Sequence, residues 1–292
     1  MKYYTVDVFA QEKYAGNQLA VFTEAGSFSD ELMQQITKEI NYSETTFITS
    51  LQQREGGYDV RIFTPAQELP FAGHPTLGTA YILQQKIIKN PVPQVILNLK
   101  VGQIPVAIHY SNNDVDELWM QQNSPSFDQI FTAEVLAEVL NIKSSEIDSR
   151  YPIQEVSTGI PFIIVPLKDL AALKRSRVDK EKLLKLVENT AAKAILIFCP
   201  ETSNAENDLS VRVFVDYFGI PEDPATGSAN GCLAGYLVKY AYFNESEVNI
   251  KVEQGYEIGR PSLLLLKAYQ KDENIDVFVG GKVILVAEGE FV

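Results

Sequence analysis

Residues 224–238 read Pro-Ala-Thr-Gly-Ser-Ala-Asn-Gly-Cys-Leu-Ala-Gly-Tyr-Leu-Val and form one of the two longest stretches of the chain without a charged side chain. The other such stretch covers residues 69–85. Both contain Gly, Thr and Pro or Asn, so neither is apolar enough to span a membrane. A long uncharged segment in a soluble protein is usually buried on several sides. Because each stretch begins as a loop and then becomes helix-like, the pattern predicts two buried central helices.

The surroundings of these two stretches resemble each other. Arg61-Ile-Phe-Thr precedes the first, and Arg212-Val-Phe-Val precedes the second. Each then passes through a Pro-containing loop into Gly78-Thr-Ala or Gly227-Ser-Ala, and an amphipathic helix followed by a strand lies upstream of each. We interpret this as a diverged internal duplication that gives two α+β halves, with chance similarity as the alternative.

The expected boundary between the halves lies near residues 114–123. The N-terminal half then covers residues 1–118 and the C-terminal half residues 119–281, and the last strand, 282–292, can cross back to the first half. Amphipathic helices are predicted over 27–40, 132–140 and 179–192. Strands are predicted over residues 3–9, 19–22, 45–49, 58–63, 95–99, 106–110, 162–165, 195–198, 211–215, 248–252, 263–266 and 283–287.

Composition excludes several functional classes. The chain has 292 residues and a formal net charge of −13, and such a field repels phosphate backbones and anionic lipids, so no nucleic-acid or membrane partner is expected. The two cysteines, Cys199 and Cys232, exclude a disulfide framework, and both are interpreted as inert core thiols. The first residues contain no apolar signal-peptide region, which favours the cytoplasm.

Two loops carry residues suited to binding an anion. Gly73-His74-Pro75 and residues 223–228, Asp-Pro-Ala-Thr-Gly-Ser, each place backbone N–H groups and small polar side chains just before a predicted helix. A helix N-terminus has unpaired N–H donors and a partial positive charge, which suits a carboxylate. The alternative is that Thr226 or Ser228 only caps its helix.

Glu44 is the candidate acid or base. It lies in Asn41-Tyr-Ser-Glu-Thr-Thr-Phe-Ile after a helix and at the start of a strand. Partial burial raises the pKa of a carboxyl group, which suits proton transfer near neutral pH. The alternative is a strand-end glutamate paired with a basic residue. The residue that lies as far before Arg212 as Glu44 lies before Arg61 is Ile195, which is not acidic. The second half therefore has no matching acid, and the chemistry is expected to be asymmetric.

His74 and Asp223 are further candidates. His74 lies in an uncharged, glycine-flanked loop and is interpreted as a hydrogen-bonding or proton-relay group. The sequence supports a purely structural role for this histidine equally well. Asp223 precedes a proline that fixes its backbone, and it either holds His74 or the substrate, or caps the loop. Zinc is rejected, because two separated histidines and two buried thiols provide too few ligands.

These motifs together resemble the PhzF-like family, named for the phenazine-biosynthesis isomerase, and the resemblance runs over nearly the whole chain. The matching stretches are Val6-Asp-Val-Phe9 with Gly16-Asn17, Ser43-Glu-Thr-Thr-Phe47, Arg61 through Gly73-His74, Ser157-Thr-Gly-Ile-Pro161, Glu222-Asp-Pro-Ala-Thr-Gly-Ser-Ala229, and Gln254-Gly255 with Gly259-Arg-Pro-Ser262.

The resemblance implies a diaminopimelate epimerase-like fold: two pseudo-symmetric α+β halves, each a curled, mostly antiparallel sheet around a central helix, with the site between them. It also implies a cofactor-independent isomerase, expected as a homodimer, that acts on a small, cyclic or aromatic-precursor carboxylic acid. The implied site residues are Glu44 as the proton carrier, His74, Asp223 and Ser228 as its catalytic partners, and Gly73, Thr226 and Gly227 for substrate binding.

One departure from the family pattern limits the alternatives. Many members have a cysteine where this chain has Ala72, and thiol-based racemisation is therefore not expected. An epimerase that uses Glu44 and Asp223 as opposed carboxylate bases stays open. A protein that binds a small acid without catalysis is the third hypothesis and ranks last, because the set of candidate catalytic residues is intact.

Overall fold

The computed structural model describes all 292 residues of the chain. The chain divides into two compact units. Unit 1 comprises residues 1–121 together with residues 280–292, and unit 2 comprises residues 122–279. None of the helices is both long enough and apolar enough to cross a lipid bilayer.

The chain forms short strands and few helices. The strands are β1 Lys2–Val8, β2 Asn17–Phe22, β3 Glu44–Ile48, β4 Tyr58–Phe63, β5 Glu68–Leu69, β6 Gln94–Leu99, β7 Gly102–Ser111, β8 Asp114–Gln122, β9 Ser126–Phe131, β10 Ile153–Ser157, β11 Pro161–Pro166, β12 Ile195–Cys199, β13 Leu209–Val215, β14 Ile220–Asp223, β15 Glu247–Gln254, β16 Ser262–Lys271, β17 Asn274–Gly281 and β18 Val283–Glu290. The α-helices are α1 Asp30–Ile40, α2 Gly73–Ile82, α3 Ala133–Leu140, α4 Leu170–Arg175, α5 Lys180–Val187 and α6 Gly227–Lys239.

Unit 1 is a mixed sheet around α2. β1 pairs antiparallel with both β2 and β18, β2 pairs parallel with β3, and β4 pairs antiparallel with β3 and β5 and parallel with β6. β6, β7 and β8 continue as antiparallel neighbours. Nearly every residue of α2 is buried. A Cβ on Gly78 would lie 2.6 Å from Leu19 and 2.9 Å from Val8, so the glycine permits the close approach of α2 to the sheet.

Unit 2 repeats the same order of pairings around α6. β10 pairs antiparallel with β9 and β11, β11 pairs parallel with β12, and β13 pairs antiparallel with β12 and β14 and parallel with β15. β15 then pairs antiparallel with β16. The helix α6 is buried along most of its length. The α+β class and the central helix of each half, predicted from the sequence, are confirmed.

Every strand candidate named from the sequence corresponds to a strand, whereas β5, β8, β9, β10, β14 and β17 were not predicted. β9 explains one of these omissions, because most of its residues are exposed and it lacks the apolar alternation that marks a half-buried strand. The first helix begins later than predicted. Its N-cap is Ser29, whose side chain accepts a hydrogen bond from Leu32 N, while residues 25–27 form a 3₁₀ turn.

One ion pair recurs in both units. Arg61 donates two hydrogen bonds of 2.8 Å to Glu68, and its guanidinium lies 5.1 Å from the Phe63 ring centre. In unit 2, Arg212 donates two hydrogen bonds to Glu222, of 2.9 and 2.7 Å. Its guanidinium lies 4.8 Å from the ring centre of Phe214. The Arg-x-Phe repeat seen in the sequence therefore has the same structural role in each unit.

The structure corrects two details of the internal alignment. α2 begins at Gly73 and α6 at Gly227, so Gly73 and not Gly78 is the counterpart of Gly227. In the antiparallel pairs of strands, Arg61 of β4 lies opposite Phe47 of β3, and Arg212 of β13 lies opposite Ile197 of β12. Counting back three residues from each partner makes residue 194 the counterpart of residue 44.

That counterpart is Ala194, not Ile195, because one more residue separates the two strands in unit 2 than in unit 1. Ala194 is buried. The conclusion drawn from the sequence is unchanged, since unit 2 has no acidic side chain at this position.

We expect Arg212→Met to destabilise the protein more than Arg61→Met does. Arg212 and Glu222 are 4% and 7% exposed, so the substitution leaves a buried carboxylate without its cation, a change that costs about 3–5 kcal/mol. Arg212 also donates to the carbonyl oxygens of Leu173 and Ser176 at the end of α4. Urea unfolding followed by circular dichroism measures both variants.

Arg61→Met should cost less, since Arg61 is 24% exposed and Lys100 also donates to Glu68. Equal losses in the two variants would show that burial does not set the strength of this repeated ion pair.

Candidate active site

Glu44 and His74 lie next to each other in unit 1. Glu44 is the first residue of β3, and its neighbour two positions on, Thr46, contacts Thr79 of α2 through their hydroxyl oxygens at 2.8 Å. Because side chains alternate along a strand, Glu44 lies on the same face of β3, towards α2. His74 is the second residue of α2, and its Nε2 lies 3.5 Å from Glu44 Oε2. The two side chains are 17% and 6% exposed.

His74 is held as a neutral imidazole. Burial lowers its pKa to about 3, and a hydrogen bond to the backbone of Gln18, which favours the protonated ring, only partly opposes this shift. A bond that raises the pKa is one in which a ring N–H donates. Nε2 is buried and has no hydrogen-bond partner, so Nδ1 carries the hydrogen that reaches Gln18. The Nε2 lone pair therefore faces Glu44.

His74 lies in the first turn of α2, which has no side-chain cap. The sequence predicted that His74 lies in a loop, but the helix begins at Gly73 and includes it. The N-cap is Ala72, which has no side chain able to accept a helix N–H, and the third helical residue is Pro75, which has no N–H. The N–H groups of Gly73 and His74 thus have no side-chain cap.

Asp223, Thr226, Gly227 and Ser228 lie together in unit 2. Asp223 ends β14, Thr226 is the N-cap of α6, and Gly227 and Ser228 are the first two helical residues. The Thr226 hydroxyl donates to Asp223 Oδ2 and makes no capping bond to a helix N–H. The alternative that Thr226 only caps α6 is therefore wrong, and this helix also begins without a side-chain cap.

Three other helices show the contrast. Ser29, Asp169 and Asp179 each accept a hydrogen bond from the helix that follows, at α1, α4 and α5 respectively. The buried helices α2 and α6, which carry the candidate residues, lack such a cap, and so does α3. Uncapped N–H groups at the starts of α2 and α6 fit the anion-binding interpretation of the sequence.

A polar network that the sequence did not single out holds the start of α6. Gln122 Nε2 donates to the Gly227 carbonyl at 3.0 Å, and Gln122 Oε1 accepts from the Thr158 hydroxyl at 2.7 Å. A Cβ on Gly231 would lie 1.9 Å from Gln122 Oε1, so only glycine leaves room for this amide. Thr158 lies within one of the sequence stretches that carry the family resemblance, and that motif could have pointed to this residue from the sequence.

The two thiols are unsuited to catalysis. Burial raises the pKa of Cys199 to about 12 and that of Cys232 to about 11, so both stay protonated at neutral pH. The prediction that both cysteines are buried in the core is confirmed. The structure contains no cluster of His, Cys, Asp or Glu side chains arranged to bind a metal ion.

Comparison with known proteins relates the chain to one family. The family model described as phenazine biosynthesis-like protein matches residues 6–289. The trans-2,3-dihydro-3-hydroxyanthranilate isomerase of Pseudomonas aeruginosa is 34% identical over 99% of this chain and 98% of its own length.

Solved structures give the same relationship. A phenazine biosynthesis protein of the PhzF family from Bacillus anthracis superposes with a TM-score of 0.92 at 26% identity, covering 100% of this chain and 99% of that one. A probable proline racemase from Agrobacterium radiobacter superposes with a TM-score of 0.66 at 10% identity, covering 100% and 92%. The second likeness shows the fold alone, and it agrees with the epimerase-like architecture expected from the sequence.

We expect the stability of the protein to fall as the pH drops, in part because of His74. Its pKa is about 3 in the folded protein and near 6.5 in an unfolded chain, so the unfolded state binds more protons between these values. The free energy of unfolding should decrease by on the order of 1 kcal/mol per pH unit in this window and be unaffected by this group above it. Urea unfolding of wild type and His74→Asn at several pH values measures the contribution, which the variant lacks.

His109, the only other histidine, provides a matched control because its side chain is 56% exposed. His109→Asn should keep the wild-type contribution of His74. If His74→Asn loses stability with falling pH as steeply as wild type, the imidazole is not buried as a neutral group.

Proposed function

The chain belongs to the phenazine biosynthesis-like protein family and is an isomerase, and we propose that it moves a proton within a small carboxylic acid with Glu44 as the general acid and base. The observation that supports this role is the contact of the Glu44 carboxyl with a buried, neutral imidazole. The relatives named trans-2,3-dihydro-3-hydroxyanthranilate isomerase suggest a cyclic, unsaturated acid as the substrate class.

The proposed reaction needs one carboxyl group and no change in oxidation state. The Glu44 carboxylate removes a proton from a substrate carbon that a neighbouring carbonyl or conjugated system acidifies, and the C–H electron pair is delocalised over that system. The protonated carboxyl then returns the proton to a different carbon, which regenerates Glu44. A positioned acid or base contributes about 10²–10⁴-fold, so positioning and burial must supply the rest of the rate enhancement.

His74 suits the role of partner to the protonated form of Glu44. The Nε2 lone pair can accept a hydrogen bond from the Glu44 carboxyl group when that group holds the proton. The backbone bond to Gln18 keeps the ring in this tautomer. Because the pKa of His74 is about 3, the imidazole stays neutral through the cycle.

We assign substrate binding to the uncapped helix starts. The N–H groups of Gly227 and Ser228, and the Ser228 hydroxyl, are suited to a carboxylate, and Thr226 keeps Asp223 oriented. Asp223 then receives a hydrogen bond from a substrate hydroxyl or amino group. Gly73, the first residue of α2 and the neighbour of His74, is assigned to substrate binding as well. The absence of an acid at position 194 supports a single proton carrier over a symmetric pair of bases.

We expect Glu44→Gln to lower turnover by about 10²–10⁴-fold while binding of the substrate survives, because the amide keeps the shape of the side chain and cannot carry the proton. Turnover of trans-2,3-dihydro-3-hydroxyanthranilate and of related cyclic acids is followed by proton NMR, and binding by calorimetry. Glu247→Gln is the matched control, since Glu247 also begins a strand but is exposed. Near-wild-type turnover by Glu44→Gln would remove the mechanism.

We expect wild type to incorporate one solvent deuteron at a new carbon of the substrate in heavy water, with migration of a double bond. Incorporation with inversion at a single carbon would instead support the epimerase that uses Glu44 and Asp223. Binding without any exchange of substrate protons would support the non-catalytic hypothesis. Proton and deuterium NMR of the recovered acid distinguishes the three outcomes.

A further inference from the structure

The C-terminal motif of the sequence contacts the segment formed by residues 223–230. Gln254 is the last residue of β15, Gly255 follows it, and Ser262 begins β16. Ser262 Oγ donates to the Pro224 carbonyl at 2.9 Å. A Cβ on Gly255 would lie 2.6 Å from the same oxygen, and its φ of +79° also favours glycine. This motif therefore makes room for the 223–230 segment and binds it.

The Gln254 amide uses all its polar positions on that segment. Its Oε1 accepts from Thr226 N at 3.1 Å and from Asn230 Nδ2 at 2.8 Å, and its Nε2 donates to the Asp223 carbonyl at 2.8 Å and to Thr226 Oγ1 at 3.0 Å. An amide offers two hydrogens and two lone pairs, so its capacity is filled. The side chain is 1% exposed, which keeps water from replacing these bonds.

The bond from Gln254 to Thr226 sets the direction of the next one. A threonine hydroxyl has a single hydrogen, and an N–H that donates to its oxygen leaves that hydrogen to be given elsewhere. Thr226 gives it to Asp223 Oδ2. An ionised Asp223 can only accept, and because Gln254 offers Thr226 a donor and no acceptor at this bond, the Thr226 hydrogen stays available to the carboxylate.

Gln254 itself is on a rigid element. In the sheet of unit 2 it lies beside Val211 of β13 on one side and Ser262 of β16 on the other. A second buried glutamine of the unit, Gln154, is 5% exposed and bonds instead to the Asp128 carbonyl and the Tyr240 hydroxyl. It touches no residue of the 223–230 segment through these bonds, so it provides a matched comparison.

We infer that Gln254 is a positioning residue for the active site. Its side-chain amide holds the 223–230 segment, so that the Asp223 carboxylate and the first N–H groups of α6 keep one orientation. Gln254 acts through Thr226 and need not touch the substrate. The catalytic consequence rests on the proposed function of Asp223 and Ser228. The hydrogen-bonding consequence does not, and it is measurable on the protein alone.

The acceptor half of the amide is tested by hydrogen–deuterium exchange without any substrate. Gln254→Leu removes the acceptor of Thr226 N, so the amide of Thr226, and that of Asn230, which donates to the Thr226 carbonyl, should exchange faster than in wild type. Gln254→Glu keeps an acceptor oxygen, and Gln154→Leu leaves the segment untouched, so both should retain slow exchange there. Equal exchange of this segment in wild type and Gln254→Leu would overturn the inference, whatever the enzyme's substrate is.

The donor half is tested by the pH dependence of kcat/KM for trans-2,3-dihydro-3-hydroxyanthranilate. In Gln254→Glu the ionised carboxylate has no hydrogen to give, Thr226 turns its hydroxyl away from Asp223, and kcat/KM should fall about 10²-fold. Protonation of the introduced carboxyl restores one O–H donor. The ratio of variant to wild-type kcat/KM should therefore rise as the pH is lowered from about 8 to about 5.

A merely structural role for Gln254 would give a different result. Loss of packing alone predicts a ratio that stays flat or falls with decreasing pH, and this outcome would overturn the donor role. Gln154→Leu should keep the wild-type pH profile even where it lowers stability. If wild type does not turn over this acid, the proposed substrate class fails, and the exchange experiment alone decides the position of Gln254.

Discussion

The burial of two helices that begin without a side-chain cap is the constraint on which the rest of this structure depends. A helix covered by a sheet cannot rely on water to satisfy its first N–H groups, so those groups are served by other parts of the fold or by a ligand. Helices α1, α4 and α5 use Ser29, Asp169 and Asp179 for this purpose, whereas α2 and α6 begin with glycine after Ala72 and Thr226. The same feature that makes these helices costly to bury makes their starts suitable for binding an anion.

The repeated architecture carries different chemistry in its two units. Both units have the same order of strand pairings and the same Arg-Glu pair stacked near a phenylalanine. At the second helical position, however, unit 1 has a buried histidine and unit 2 a serine. Beside the histidine lies Glu44, and its counterpart is Ala194. Such an arrangement fits an isomerase with a single proton carrier better than a racemase with two equivalent bases.

Polar side chains of unit 2 hold the candidate binding residues at the start of α6. Gln122 and Gln254 both bond to the first turn of α6. Gly231 leaves room for the Gln122 amide, and Gly255 leaves room for the backbone of Pro224. The side-chain amides of the two glutamines connect the strands that carry them to the residues assigned to substrate binding. The buried Gln254 amide, whose donors and acceptors are all used, has one orientation, and its bonds fix Thr226 and the backbone of Asp223.

The sequence by itself determined the α+β class, the two buried central helices, the internal repeat and the candidate residues Glu44 and His74, because charge-free stretches, periodicity and short motifs are local properties of a chain. Only the tertiary structure decided that His74 belongs to a helix, that its Nε2 faces Glu44, and that Ala194 is the counterpart of Glu44. Gln254 belongs to a motif of the family resemblance, but the role of Gln122 and Gln254 in orienting the 223–230 segment was hidden, since both are distant from it in the chain. A hydrogen bond between such residues depends on the register of strands, which no local pattern encodes.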